Sequence, residues 1–199
     1  STYQFQGGDA MYEDINKDGQ INALDVVYLG NSMPKLSGGF NVGFTYGPWN
    51  LKARFMFRYG NEVINAARLG LESMSTAHNQ ASSVNWRWRK DGDVTMMPRA
   101  IFVYNDNSAY NYQGSSRYVE DGSFLRFQNL QIGYNFDRKM IKKWGLNDLK
   151  CYVTVNNLFC WTKYSGVDPE ISIGGWGVAT DNSRTPRSRS FTANLNIGF

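Results

Sequence analysis

The feature that most restricts this chain is the strict alternation in its last nine residues. Phe191, Ala193, Leu195, Ile197 and Phe199 are apolar, whereas Thr192, Asn194, Asn196 and Gly198 between them are polar or lack a side chain. Successive side chains of a strand point to opposite faces, so this pattern makes a sheet strand with one apolar and one polar face. A half-buried strand of a water-soluble sandwich carries the same period, so the choice of environment rests on the rest of the chain.

The two-face pattern recurs upstream. Phe40, Val42, Phe44 and Tyr46 alternate with Asn41, Gly43 and Thr45, and Leu51, Ala53, Phe55, Phe57 and Tyr59 alternate with Lys52, Arg54, Met56 and Arg58. Between them Gly47-Pro48-Trp49-Asn50 reads as a tight turn. A third strand shows Leu130, Ile132, Tyr134 and Phe136 against Gln131, Gly133 and Asn135, with Leu125 and Phe127 out of phase, which predicts a bulge near Gln128-Asn129. A fourth sets Leu149, Cys151, Val153 and Val155 against Lys150, Tyr152, Thr154 and Asn156.

The connections sort into two classes that alternate. Gly47 to Asn50 and Asp137 to Asn147 are short; Asn61 to Gly122 and Trp161 to Arg187 are long. Tight turns at one rim and large loops at the other are the layout of an outer-membrane β-barrel, with the long loops external. A final aromatic residue still inside its strand agrees with a barrel's closing strand. Five strands do not close a useful barrel, so the expectation is all-β: an antiparallel transmembrane segment of a larger barrel. The expected division is residues 1–36 as an extracellular loop and 37–199 as C-terminal barrel strands, with extracellular loops 61–122 and 161–187. Within the first loop, Val63, Ala66, Ala67 and Leu71 recur at roughly helical spacing and predict a short helix between Glu62 and Ser75.

Composition agrees. Aromatic residues make up 15% of the chain and mean hydropathy is −0.47, as expected when strands average an apolar and a polar face. The net charge of +4 comes from scattered residues with no basic run, which argues against a nucleic-acid partner. The two cysteines, Cys151 and Cys160, stand roughly 30 Å apart if they share one extended strand, too far to bridge. Catalytic patterns are missing. His78 is the sole histidine, Ser123 lacks the glycine pattern of a nucleophile elbow, and Glu120-Asp121 would point to opposite faces of a strand. The chain reads as a non-enzyme.

Two candidate sites remain. Asp14, Asn16, Asp18, Gln20, Asn22 and Asp25 place oxygen donors at positions 1, 3, 5, 7, 9 and 12 of an acidic loop, with Gly19 at its sharp turn. Gln20 would contribute its backbone carbonyl and Asn22 would act through water. The expected ion is calcium, with magnesium the alternative, because the closing residue is the short Asp25 rather than a bidentate Glu. The competing reading is an ion-free Asp/Asn/Gly turn. Trp86, Arg87 and Trp88, followed by Arg89, could stack on sugar rings or hold carboxylates, against a plainer reading as loop packing with cation–π pairs. Lys52, Arg54 and Arg58 would face the barrel lumen, where pairing with carboxylates or attraction of anionic solutes would occupy them.

Two longer motifs carry a resemblance. Ser116-Arg117-Tyr118-Val119-Glu120-Asp121-Gly122-Ser123-Phe124-Leu125-Arg126, running into Asn129-Leu130 and Gly133-Tyr134, is similar to a signature of the SusC/RagA-type TonB-linked outer-membrane proteins. So is Asn157-Leu158-Phe159-Cys160-Trp161-Thr162-Lys163-Tyr164-Ser165-Gly166-Val167-Asp168-Pro169-Glu170. The resemblance implies a barrel of about twenty-two strands with a plug and a location in the outer membrane of a Gram-negative bacterium, in contact with its lipid. It also implies a SusD-type lipoprotein as a lid, contact with the TonB complex through an N-terminal part absent from this chain, and oligosaccharide or peptide cargo. The alternative is a secreted calcium-dependent carbohydrate-binding β-domain, water-soluble and dependent on the 14–25 loop for folding. A barrel lipase or protease is a further rival, disfavoured by the missing Ser/His pairing.

Overall fold

In the computed structural model, residues 4–102, 109–172 and 178–199 are described. The alternating segments all become strands. β1 (Leu36–Tyr46), β2 (Trp49–Tyr59), β5 (Phe124–Asn135), β6 (Asp148–Thr162) and β7 (Ser190–Gly198) form one antiparallel sheet in the order β1-β2-β5-β6-β7. The first long connection holds the short strands β3 (Glu62–Ile64) and β4 (Val119–Asp121), which pair with each other, and helix α1 (Ala66–Glu72). Asn65 caps α1 by accepting from the Arg68 N–H at 2.9 Å. The short connection between β5 and β6 contains helix α2 (Arg138–Ile141), capped by Asp137 and followed by Gly145 at φ 73°.

Register aligns the apolar faces of all five strands. Leu51 on β2 sits opposite Phe44 and Ile132, Ile132 opposite Val153, and Val153 opposite Ala193. Directly opposed residues share a face, so one continuous apolar surface runs across the sheet. It is not a core. Phe44 is 63% exposed, Leu195 58% and Trp161 52%. Soluble proteins rarely expose a contiguous apolar surface beyond a few hundred Å², so this belt calls for lipid. Phe55 stacks between Phe40 and Phe127 at centroid distances of 4.8 and 4.5 Å, while Trp49, Tyr134 and Phe136 cluster edge-to-face at the short-turn rim. Aromatic residues at the rims match the girdles of a membrane barrel.

One detail differs from the sequence reading. Trp49 and Asn50 belong to β2, opposite Tyr46 and Thr45, so the hairpin turn is only Gly47-Pro48, with Gly47 at φ 55°. The left-handed φ is accessible to glycine without strain and matches the twist of the flanking strands. The expected bulge lies at Gln128, where the register shifts between Phe127 and Asn129. It returns Leu125 and Phe127 to the apolar face, opposite Trp161 and Phe159. On β6 the same irregularity takes up Asn157 and Leu158, and Asn157 adopts φ 53°.

Candidate functional site at the long-loop rim

Every long connection emerges at the rim defined by Tyr59, Phe124, Thr162 and Ser190, and there the chain builds its interior. Val63, Tyr164, Ile171 and Ala179 form one buried cluster, and Met74, Val84, Met97 and Tyr112 another. Burial pushes the Tyr112 hydroxyl up to about 12. Residues 4–35 are sewn to this body by backbone and side chain. Lys35 N–H donates to the Tyr59 carbonyl at 2.9 Å, Glu62 N–H to Asn31 at 2.9 Å, Arg99 N–H to Gly8 at 2.7 Å, and Ala10 N–H to Asn111 Oδ1 at 2.7 Å.

Two ionic networks hold the loops over the sheet. In the first, the Glu72 carboxylate on α1 receives Arg68 at 3.0 Å and Arg117 at 3.1 Å, and Arg68 also reaches Glu120 at 3.3 Å. Burial would raise the Glu120 carboxyl, but the Ser165 N–H and hydroxyl, the Asn65 amide and Arg68 outweigh it and hold it below the usual range. In the second, Arg126 at the start of β5 meets Asp168 at 2.5 Å and Glu170 at 3.2 Å, and Glu170 also receives Arg187 at 2.6 Å. Nearby, Tyr164 donates to Asp181 at 2.7 Å; burial first, and then that bond, raises the tyrosine's pKa. Sequence reasoning named none of these pairs. The available signal was that both resemblance motifs carry charges, Arg117, Glu120 and Arg126 in one and Asp168 and Glu170 in the other, and the structure folds the two motifs onto each other.

The acidic loop closes upon itself. Asp14 accepts from the N–H of Asp18 at 3.2 Å and of Gly19 at 2.8 Å; Asp18 accepts from Gln20 N–H at 2.8 Å and the Asn16 amide at 2.9 Å. Asp25 accepts from the N–H groups of Asn22 and Ile15, both at 2.8 Å. The Asn22 N–H bond, more than any other contact, holds the Asp25 carboxyl below its usual range. An all-oxygen donor set suits a hard divalent cation. Among the described residues, no three carboxylate, imidazole or thiol groups converge as a metal cluster, so a cage here also needs the Asn16 and Asn22 side chains and the Gln20 carbonyl.

A cleft of about 790 Å³ separates residues 8–29 from the stretch around Trp88 to Pro98 and from Asn111 to Arg117. Ile15, Asn22 and Asp25 of the acidic loop and Trp88 line it, so the structure brings part of each candidate site to one wall. Trp88 also packs on Gly8, so closely that a Cβ there would overlap the indole. Trp86 instead points away, 78% exposed, and Arg87 turns back onto the Val84 carbonyl at 3.3 Å. Gln20, whose carbonyl the loop would use, does not line the cleft.

A sheet with a lipid-suited belt, polar opposite face and one-sided loop body defines a wall segment of a transmembrane antiparallel β-barrel. Among known proteins, the chain is 30% identical over 199 residues to the TonB-dependent receptor P3 of Formosa agariphila, covering 96% of this chain and 19% of the relative. It is 32% identical over 90 residues to the TonB-dependent receptor SusC of Bacteroides thetaiotaomicron, covering 43% of this chain and 8% of that protein. Its fold is similar to a chain of the RagAB peptide importer in the 'closed-closed' state, with a TM-score of 0.73 and 23% identity over 92% of this chain and 20% of that one. No family model matches. The chain is a barrel segment of a SusC/RagA-type TonB-dependent receptor, and it spans about one fifth of the length of the curated relatives it matches.

Proposed function

We propose that the whole protein is a TonB-dependent importer of the bacterial outer membrane, taking up oligomeric nutrients, glycans or peptides, beneath a SusD-type surface lipoprotein that acts as a lid. On this reading the chain supplies part of the barrel wall and external loops, is not an enzyme, and reaches TonB only through parts of the protein outside it. The observation that carries the reading is the exposed apolar belt of Phe44, Leu51, Ile132, Val153 and Leu195 beneath a loop body built at one rim only. The test is deletion of the complete gene in its host, with growth on panels of purified oligosaccharides and of peptides, alongside affinity purification of the full-length protein from outer membranes. Loss of growth on one class of oligomer, restored by the gene, together with a co-purifying lipoprotein, supports it. A water-soluble protein that binds sugars only with calcium would overturn it.

We further infer that the 14–25 loop holds calcium, or magnesium in its place, as a clamp that stiffens the wall of the cleft. Support comes from the oxygen-only donor set and its spacing. Calorimetric titration of the full-length protein with each metal should show binding that Asp14→Asn and Asp18→Asn weaken; no heat with either metal leaves the ion-free turn as the account. Trp88 and the exposed face of Trp86 are the proposed stacking surfaces for cargo.

A further inference from the structure

The connection between β5 and β6, at the rim away from the long loops, gathers positive charge. It holds Arg138, Lys139, Lys142 and Lys143, all exposed, and its one acid is Asp137. Asp137 is engaged in capping α2, where it accepts from the Lys139 N–H at 2.8 Å. The next acid along the chain, Asp148, pairs with Lys150 at 2.9 Å. Among the described residues, none of the four cationic groups meets an acidic partner.

Met140 and Ile141 divide these cations in sequence, and α2 with the 3₁₀ turn that follows it (Lys142–Trp144) brings them together. Residues four apart share a helix face, so Arg138 with Lys142 and Lys139 with Lys143 make one cationic stripe. Like charges at that spacing destabilise a helix, and no ion pair of the turn offsets them.

The turn also adjoins the lipid-suited face of the sheet. α2 packs on β6; Ile141 is buried, and so is Leu149, the first member of the apolar row of β6, whereas Val153 further along that row is exposed. The Phe136 N–H donates to the Leu149 carbonyl at 3.0 Å, which ties the turn to the aromatic cluster of Trp49, Tyr134 and Phe136. Met140 and Trp144 are more than half exposed. Lysines and a half-wet tryptophan at the level of an aromatic girdle suit the headgroup layer of a bilayer, where ring and cation both find partners. An acidic soluble partner would account for the cations but not for their continuity with the apolar belt.

We propose that this turn binds the phosphate headgroup of an acidic phospholipid in the periplasmic leaflet. The cationic stripe holds the phosphate oxygens, and Met140 and Trp144 lie at the edge of the acyl chains. This rests on the barrel reading above, with the long loops external, but not on what is imported.

The test uses the full-length protein in detergent, with phosphatidylglycerol as the acidic probe and phosphatidylethanolamine as the zwitterionic one. Native mass spectrometry counts the lipids retained. Each cation near an acidic leaflet strengthens binding roughly fivefold, so phosphatidylglycerol should be retained at least about tenfold better. High salt should erode that preference. Lys139→Gln, Lys142→Gln and Lys143→Gln together should abolish it, and the same three lysines changed to arginine should keep it. Lys163→Gln with Arg184→Gln, in the long loop after β6, should leave it unchanged. Equal retention of the two lipids, a preference that survives the triple glutamine variant, or one lost equally in the long-loop variant each overturns the proposal. A protein that is soluble without detergent overturns the barrel reading together with it, whereas a membrane-inserted protein indifferent to headgroup charge overturns the proposal alone.

Discussion

Arg126 and Glu170 stand 44 residues apart in sequence, yet the Arg126 Nε lies 3.2 Å from the Glu170 Oε2, both side chains at least nine-tenths buried. This pair, with Asp168 as the second carboxylate, fastens the loop after β6 to the rim of β5. Removing the guanidinium takes from the largely buried Asp168 its ion-pair partner and leaves Glu170 with Arg187 alone. Arg126→Met should therefore cost about 3–5 kcal/mol. The check is heat-dependent migration of the full-length barrel on denaturing gels, with limited proteolysis showing cleavage between Lys163 and Arg189.

The two faces of β6 should respond oppositely to one charge. Val153 belongs to the apolar belt and Thr154 to the polar face. Val153→Arg places a cation against lipid and should cost about 2–4 kcal/mol if it lies near the bilayer midplane. Thr154→Arg should be nearly neutral. Refolding yields of the full-length variants into lipid vesicles compare the two directly, and equal losses would argue against the assignment of faces.

Asn157 takes a left-handed conformation at φ 53° in the irregular stretch of β6, and its side-chain amide donates to the Ser188 carbonyl at 2.9 Å. A β-branched residue there meets its own carbonyl, so Asn157→Val should cost roughly 1–2 kcal/mol. Asn157→Gly keeps the backbone at ease and loses only the amide bond. Urea unfolding in vesicles should rank the valine variant as the less stable of the two.

Glu120 gives the loop body an acid-sensitive joint. Its folded pKa lies below the ordinary carboxylate value, so its stabilising contribution is complete above that ordinary value and is lost as the pH falls through the folded one. Hydrogen-exchange protection factors of β3, α1 and β4, corrected for the intrinsic rate at each pH, should fall below about pH 4.5. Glu120→Gln should flatten that dependence. Tyr112 behaves in the opposite sense: its contribution is present below its ordinary value of 10.0 and is lost as the pH rises toward about 12.

The five long strands were legible because each carries its own evidence. A period of two in β2 or β7 needs no partner to be seen, and a bulge announces itself as a change of phase, as at Gln128. The helix α1 was legible for the same local reason, although Val63, counted toward it, belongs to β3. Trp49 and Asn50 were misassigned because Gly-Pro marks a turn without saying where pairing resumes.

What the sequence by itself determined is the two-faced sheet and the side of it that must meet lipid, since alternation is a property of neighbours along the chain. Only the tertiary structure decided which charges are spent and which are free. Arg126 and Arg54 look alike on the page, but one is buried among acids from a loop 42 residues and more downstream and the other faces an open groove. Partners so far apart in sequence meet through sheet register and loop packing, which no local pattern encodes.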